Sequence, residues 1–353
     1  MKSRKVLYIT RKYPPSVGGM EKMNAELVAK LGLITDLTLR AESCPPWRLP
    51  LFFIRHFVGG FIDIKRLKIE HIHVGDGVLA PLGYVLSRLA GIPVSATIHG
   101  LDVTYGNPIF KLLVLPFVRR IDSCMCVSEA TKKECLARGF MAERLQVIGL
   151  GIVPGERNPD QSTPPLSAEL KSFVAGKRVL LSVGRLVPRK GVYWLIEEVM
   201  PKLSDNDVLL VAGSGEDSER IERLIQRLKL NDRVKMLGQV TNDELRRLYE
   251  CADVFLMPNI PQPGNVEGFG IVVLEAASTG LPVAASRLGG IIDALKPGTG
   301  YLFEPQNARS AQDAINKASG LRRKDVQKIA EQYTWDSVAS AYLKVIENLP
   351  TTF

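Results

Sequence analysis

Short runs rich in Val, Ile and Leu alternate along the chain with segments whose apolar positions recur at helical spacing. That alternation predicts parallel α/β units: strands buried on both faces need near-continuous apolar runs, and each parallel step needs a crossover helix. In the first half the predicted strands are 6–10 (VLYIT), 37–40, 71–74, 94–99, 123–128 and 145–150. In the second half they are 178–184, 207–213, 233–238, 253–258, 282–286 and 301–305. Between the two sets, residues 153–175 carry Pro, Ser, Gly and charge with no apolar period, which reads as a linker. The expected layout is an α/β domain at 1–155, a linker at 156–175, a second α/β domain at 176–335, and a last helix at 336–353. A chain of 353 residues exceeds one core of usual size and agrees with two domains. The halves share architecture but no sequence repeat, so a solenoid or propeller is excluded.

Ligands of open parallel sheets bind beyond the carboxyl ends of the strands, so the loops there carry the candidate chemistry. After the first strand, Thr10-Arg11-Lys12 leads to Gly18-Gly19 and a helix opening near Met20. Paired glycines let backbone N–H groups approach an anion, although the spacing is not that of a dinucleotide fingerprint and a plain turn is the alternative. After the seventh strand, Gly184-Arg185 and Lys190-Gly191 put two cations in one loop, a pattern suited to phosphate. Gly213-Ser214-Gly215 adds a third glycine turn. The most specific stretch is Glu267-Gly268-Phe269-Gly270-Ile271 through Glu275-Ala276. It places one carboxylate at a helix mouth and a second within the helix, and leaves the N–H groups of Phe269, Gly270 and Ile271 for phosphate. Two carboxylates are also the tools of a glycosidase, but an anion-binding helix mouth beside them argues against that use.

Charge narrows the partners without choosing one. Residues 1–150 hold 21 basic and 12 acidic side chains and residues 151–353 hold 25 of each, so the whole excess of nine positive charges sits on the first half. Nucleic acid, an anionic membrane surface or a phosphorylated substrate would all be attracted. Two segments of that half, Trp47–Phe61 followed by Lys65, Arg66 and Lys68, and Ile109–Arg120, mix apolar and aromatic residues with cations. Each reads equally as a core helix or as a helix lying in a headgroup layer, and neither is long enough to span a bilayer. The start of the chain lacks a cleavage-site pattern and reads as a first strand, which predicts a cytoplasmic protein. Five scattered cysteines, Cys44, Cys124, Cys126, Cys135 and Cys251, suit reduced thiols. Cys124 with Cys126, and His71 with His73, share strand faces, but neither pair finds the further ligands a metal site needs, so no metal is expected.

Together these loops resemble retaining nucleotide-sugar glycosyltransferases of family 4, including bacterial α-mannosyltransferase-like members. The resemblance rests on Gly18-Gly19, Ile98-His99-Gly100-Leu101-Asp102, Val127-Ser128-Glu129, Gly184-Arg185 with Lys190-Gly191, Gly213-Ser214-Gly215, Glu267 through Glu275, and Gly289-Gly290. The insertion Pro258 to Val266, before Glu267, departs from the short step of many members and is similar to the branch acting on phosphatidylinositol mannosides. The resemblance implies an α/β GT-B fold of two facing Rossmann-like domains with a cleft between them, and a last helix, 336–353, that packs back on the first domain. It implies transfer from a UDP- or GDP-sugar to a lipid-linked or glycan acceptor in cell-envelope synthesis, with retention, without a metal, and with no cofactor beyond the donor itself. Arg185 and Lys190 would neutralise the diphosphate, Glu275 would hold the ribose, and Glu267 and His99 would meet the transferring sugar. A helix-capping role is open for Asp102. The rivals are a transferase with a soluble sugar acceptor and a nucleotide-binding protein without transfer. Nucleic acid is not expected, because the basic half lacks interleaved aromatic platforms.

Overall fold

The computed structural model describes residues 4–16, 18–153, 166–264 and 267–350. The chain divides into two compact units, one of Met1–Gly151, Gly264–Phe269 and Thr334–Phe353, the other of Ile152–Pro263 and Gly270–Tyr333.

The first unit carries strands β1 (Val6–Thr10), β2 (Leu37–Ala41), β3 (His71–Val74), β4 (Val94–Ile98), β5 (Ser123–Cys126) and β6 (Leu145–Val147). Its helices are α1 (Gly19–Ile34), α2 (Leu49–Leu67), α3 (Ala80–Ala90), α4 (Leu101–Thr104), α5 (Pro108–Leu113), α6 (Leu115–Val118) and α7 (Glu129–Ala137). In the second unit lie α8 (Ala168–Val174), β7 (Arg178–Val183), α9 (Val192–Trp194), β8 (Asp207–Ala212), α10 (Ser218–Arg227), β9 (Val234–Gly238), α11 (Asn242–Cys251), β10 (Val254–Met257), α12 (Ile271–Ser278), β11 (Val283–Ser286), α13 (Ile291–Ala294), β12 (Gly300–Phe303), α14 (Ala308–Ser319) and α15 (Arg323–Ala330). Helix α16 (Trp335–Asn348) belongs to the first unit. The segment read as a linker is not structureless throughout, since α8 falls within it, capped by Ser167 Oγ accepting from Leu170 N. Residues 154–165 lie outside the described residues.

Both sheets are wholly parallel. The first runs β2-β1-β3-β4-β5-β6 and the second β12-β11-β10-β7-β8-β9. Each order reverses direction once, between β1 and β3 in the first unit and between β7 and β10 in the second. At such a reversal the adjoining loops splay to opposite faces and leave a crevice. Strands β1, β4 and β8 are buried along their whole length, which is why their apolar runs do not alternate. Several strands, β5 and β6 among them, stop before the apolar run does, because its last residues already turn into loop.

Three local arrangements matter below. Helix α16 lies against α1 and buries Trp335, Tyr342 and Ile346. Arg4 closes its far end, donating to the carbonyls of Ile346 (2.8 Å) and Glu347 (3.1 Å) and to that of Leu349, which satisfies acceptors that a helix C-terminus leaves open. Second, β3 and β4 enclose a polar chain. His71 Nε2 lies 2.7 Å from Ser95 Oγ, which lies 2.8 Å from His73 Nδ1; His73 Nε2 is 3.0 Å from Thr97 Oγ1, and this is 3.1 Å from the Tyr342 hydroxyl. These histidines are sheet-interior groups, and Cys126 Sγ sits 3.9 Å from Cys135 Sγ in a buried thiol pair. Third, α2 is apolar on two sides. It buries Phe52, His56, Gly60 and Ile64, and leaves Leu51, Ile54, Val58 and Ile62 more than half exposed along its outer side.

Candidate active site

In the second unit the loops after β7, β8 and β10 are drawn together at the sheet's reversal. Leu186 N donates to Ser214 O (3.0 Å), Asp217 N to Leu186 O (3.0 Å), and Ile260 N to Arg189 O (2.9 Å). Two glycines permit this closeness. Gly213 has φ 131° and a Cβ there would stand 1.9 Å from Gly184 O; Gly191 has φ 69° and a Cβ there would stand 1.9 Å from Pro258 O. No side chain fits either place. The result is a crevice lined by Arg185 and Lys190 from the β7 loop and by Met257, Pro258 and Asn259 from the β10 loop. Arg185 is exposed, and its side chain makes no ion pair or hydrogen bond with any described residue. Lys190 ends a single 3-10 turn, Pro188–Lys190, and is half-buried.

Helix α12 opens in the same unit at Gly270, whose φ of 80° reverses the chain into the helix. Val273 N already bonds to Gly270 O (2.9 Å), so the N–H groups before it, including that of Ile271, have no partner within the helix and present the positive end of its dipole. Glu275 is half-buried one turn on. Its charge raises the acidity threshold of the neighbouring Tyr249 hydroxyl, after burial, which is the larger cause.

In the first unit Gly18 precedes α1 and Gly19 begins it. A Cβ on Gly18 would meet Glu21, whose carboxylate pairs with Lys12 Nζ at 3.2 Å, whereas Gly19 faces open space. His99 follows β4. Its backbone N–H donates to Asp102 Oδ2 (2.9 Å), and its ring Nε2 is buried without a hydrogen-bond partner among the described residues. Asp102 therefore steadies the turn at His99, while Gly100 occupies the cap position of α4. Burial, the largest cause, holds the Asp102 carboxyl above its ordinary value. Glu267 and Phe269 fall within Gly264–Phe269 and group with this unit, although the sequence layout put them in the domain at 176–335. Phe269 is buried, with its ring beside Gly149, where a Cβ would stand 3.1 Å away.

The predicted residues thus form two sets. Arg185, Lys190, Gly213, Gly270, Ile271 and Glu275 belong to the second unit, and Gly18, Gly19, His99, Glu267 and Phe269 to the first. One pair was not foreseen: Arg11 Nε binds the fully buried Asp76 (3.0 Å to Oδ2), across the reversal between β1 and β3. Its signal is Gly75-Asp76-Gly77 directly after a strand; a Cβ on Gly75 would come within 2.7 Å of Asn24 Oδ1, and one on Gly77 within 2.9 Å of Asp102 Cβ.

Comparison with known proteins gives this arrangement a class. The family model for glycosyltransferase family 4 matches residues 17–156, and that for glycosyl transferases group 1 matches residues 169–334. An uncharacterized glycosyltransferase of Methanocaldococcus jannaschii is 29% identical, with 97% of each chain covered. A GDP-mannose-dependent alpha-(1-6)-phosphatidylinositol monomannoside mannosyltransferase of Mycobacterium tuberculosis is 28% identical, over 95% of this chain and 96% of that protein. Among solved structures, Anabaena HepE in complex with UDP and glucose superposes with a TM-score of 0.75 at 19% identity, covering 98% of this chain and 100% of that one. The chain belongs to the family 4 glycosyltransferases with the GT-B fold, and it is a nucleotide-sugar-dependent enzyme. No helix among the described residues is long and apolar enough to cross a membrane.

Proposed function

We propose that the enzyme moves a hexose from a UDP- or GDP-sugar, with retention of anomeric configuration and without a metal or further cofactor, to a lipid-linked or glycan acceptor in cell-envelope synthesis. What supports this above all is the crevice of the second unit, where Arg185 and Lys190 stand beside a sheet reversal in the unit that also carries the α12 N-terminus and Glu275. A nucleoside diphosphate leaves readily once the charge growing on it is met, and fixed cations with a helix N-terminus supply that. Glu275 then takes the ribose hydroxyls, while Glu267 and His99 are assigned to the transferring sugar. In the step itself the bond from the anomeric carbon to the leaving phosphate oxygen breaks, the acceptor oxygen bonds to that carbon on the same face, and the acceptor proton passes to the departing phosphate.

The named relative from Mycobacterium tuberculosis makes GDP-mannose and a lipid acceptor the first pair to test, and HepE makes UDP-glucose the second. We place the enzyme on the cytoplasmic face of a membrane, held by the outer side of α2. Leu51, Ile54, Val58 and Ile62 are exposed there, with Arg55, Lys65 and Arg66 on the same helix, so an anionic surface would gain both apolar contact and about 1 kcal/mol per nearby cation.

A panel of UDP-, GDP- and ADP-sugars, assayed first for slow hydrolysis and then with lipid and oligosaccharide acceptors, tests the reading. Activity should persist in EDTA and the product should keep the donor's anomeric configuration. Loss on chelation that a divalent ion restores, or an inverted product, would reject the mechanism.

A further inference from the structure

The first unit contains a second concave site, on residues to which the proposed donor chemistry assigns no role. It is an open cavity of about 520 Å³, within the range of small-molecule sites, formed by α4, α5, α6 and α7. Three cations line it, Lys111, Arg119 and Arg138, and no carboxylate does. Lys111, Leu115 and Arg119 follow one another at intervals of four residues, which sets the two cations along one wall with an apolar side chain between them. Neither the Lys111 nor the Arg119 side chain makes an ion pair or hydrogen bond with any described residue. Arg138 is held by Glu134, the carboxylate beside the cavity, through both its side chain and its carbonyl (2.9 Å to the latter). Three positive charges therefore face one negative charge. The floor is apolar, with Val103 and Leu115 buried. The same helices leave Leu101, Ile109, Leu112 and Leu136 exposed.

Lys111 and Arg119 thus offer positive charge with no carboxylate partner beside an apolar floor. An anion that carries hydrocarbon satisfies both features at once. We propose that this cavity binds a phosphate-bearing amphiphile, its phosphate on Lys111 and Arg119 and the start of its chain on Val103 and Leu115. The site lies on residues separate from those assigned to the donor, and its occupancy does not depend on sugar transfer.

The test uses the full chain and a short-chain phosphatidate kept below its micelle concentration, titrated calorimetrically. Binding is expected, at least about tenfold tighter than that of inorganic phosphate, and absent for the matching uncharged diacylglycerol. The double variant Lys111→Ala/Arg119→Ala should lose at least about tenfold in affinity, and Lys111→Arg/Arg119→Lys should retain most of it, because the loss of two charge-assisted contacts is being read and not a change of shape. Both positions are exposed, and an unchanged melting temperature checks that the fold is kept. Hydrolysis of nucleotide sugar in water, which needs no lipid, should be the same in all three proteins. Equal affinity for inorganic phosphate would reduce the cavity to a free-anion site and overturn the amphiphile. Unchanged phosphatidate binding in the alanine variant, or no binding by the parent, would overturn the site.

Discussion

The loops that follow β1 and β7 occupy equivalent places, each at the reversal of a six-stranded parallel sheet; one opens on Arg11 and the other on Gly184-Arg185, and each continues to glycine. They spend their charge differently. In the first unit Arg11 is mostly buried, donates from Nε to Asp76 Oδ1 (3.3 Å) and makes an ion pair with Oδ2 (3.0 Å); Asp76 has no exposure to solvent and its Oδ1 also accepts from Val78 N (2.9 Å), while Lys12 is taken by Glu21. In the second unit Arg185 is exposed and unpaired among the described residues. Charge that is already neutralised within the fold cannot be offered to a diphosphate, so similar loops on similar sheets divide into a brace and a ligand site.

The largest effects should separate the two. Arg185→Ala is expected to lower kcat/KM about a hundredfold, on the order of 3 kcal/mol in the transition state, with little change in melting temperature. Arg11→Ala should do the reverse, because it strands a buried carboxylate; stability should fall by roughly 3 kcal/mol while the protein that remains folded keeps most of its turnover. Steady-state kinetics alongside denaturant unfolding reads both quantities. A stable but inactive Arg11 variant, or an unstable and active Arg185 variant, would erase the distinction.

This contrast also marks what the sequence could and could not disclose. Arg185, Lys190 and Glu275 stand in patterns local enough to read, and the structure puts them in one unit, with Arg185 and Lys190 lining the crevice at the sheet reversal. The Arg11–Asp76 pair is 65 residues apart and exists only because β3, not β2, follows β1 on that side of the sheet. Strand order is not written in periodicity, and so the brace went unseen. Helix α2 shows a different limit. Phe52, His56, Gly60 and Ile64 recur every four residues, and so do Ile54, Val58 and Ile62; a helix apolar on two sides gives no sign of which side meets the sheet. Helix α16 could be read as a helix that returns to the first domain, whereas the particular contacts that hold it, to Arg4 and Thr97 more than 240 residues away, could not.

Within the donor set, the two carboxylates should divide binding from transfer. Glu275→Ala is expected to raise KM for the nucleotide sugar by tens of fold, about 2 kcal/mol, with a smaller fall in kcat, since its loss removes contacts made equally in ground and transition states. Glu267→Ala should lower kcat more than it raises KM. Affinity for the free nucleoside diphosphate sharpens the split: it should weaken in the Glu275 variant and hold in the Glu267 variant. Equal behaviour of the two would mean that they share one role.

The smallest expected effect, per group, concerns acid. All four histidines, His56, His71, His73 and His99, belong to the first unit, and the second has none. Burial lowers the pKa of His71 well below its ordinary value and that of His73 to about 3. Both rings are therefore neutral in the folded protein when an unfolded chain, with a pKa near 6.5, has begun to take up protons. The sign follows: above about pH 6.5 neither state binds the proton and these rings cost nothing, and as pH falls from there toward 3 the unfolded state gains protons that the folded one refuses, so stability declines. At pH 5.5 the loss is about 1.4 kcal/mol for His73, and it grows by a similar amount with each further unit toward 3, while His71 acts in the same direction. Hydrogen exchange across this range should show amides of β3 and β4 losing protection while those of β7 and β8 keep theirs, and a His73→Gln variant should blunt the difference. Parallel loss in both sheets would show that the histidine chain does not set the acid limit of the first unit.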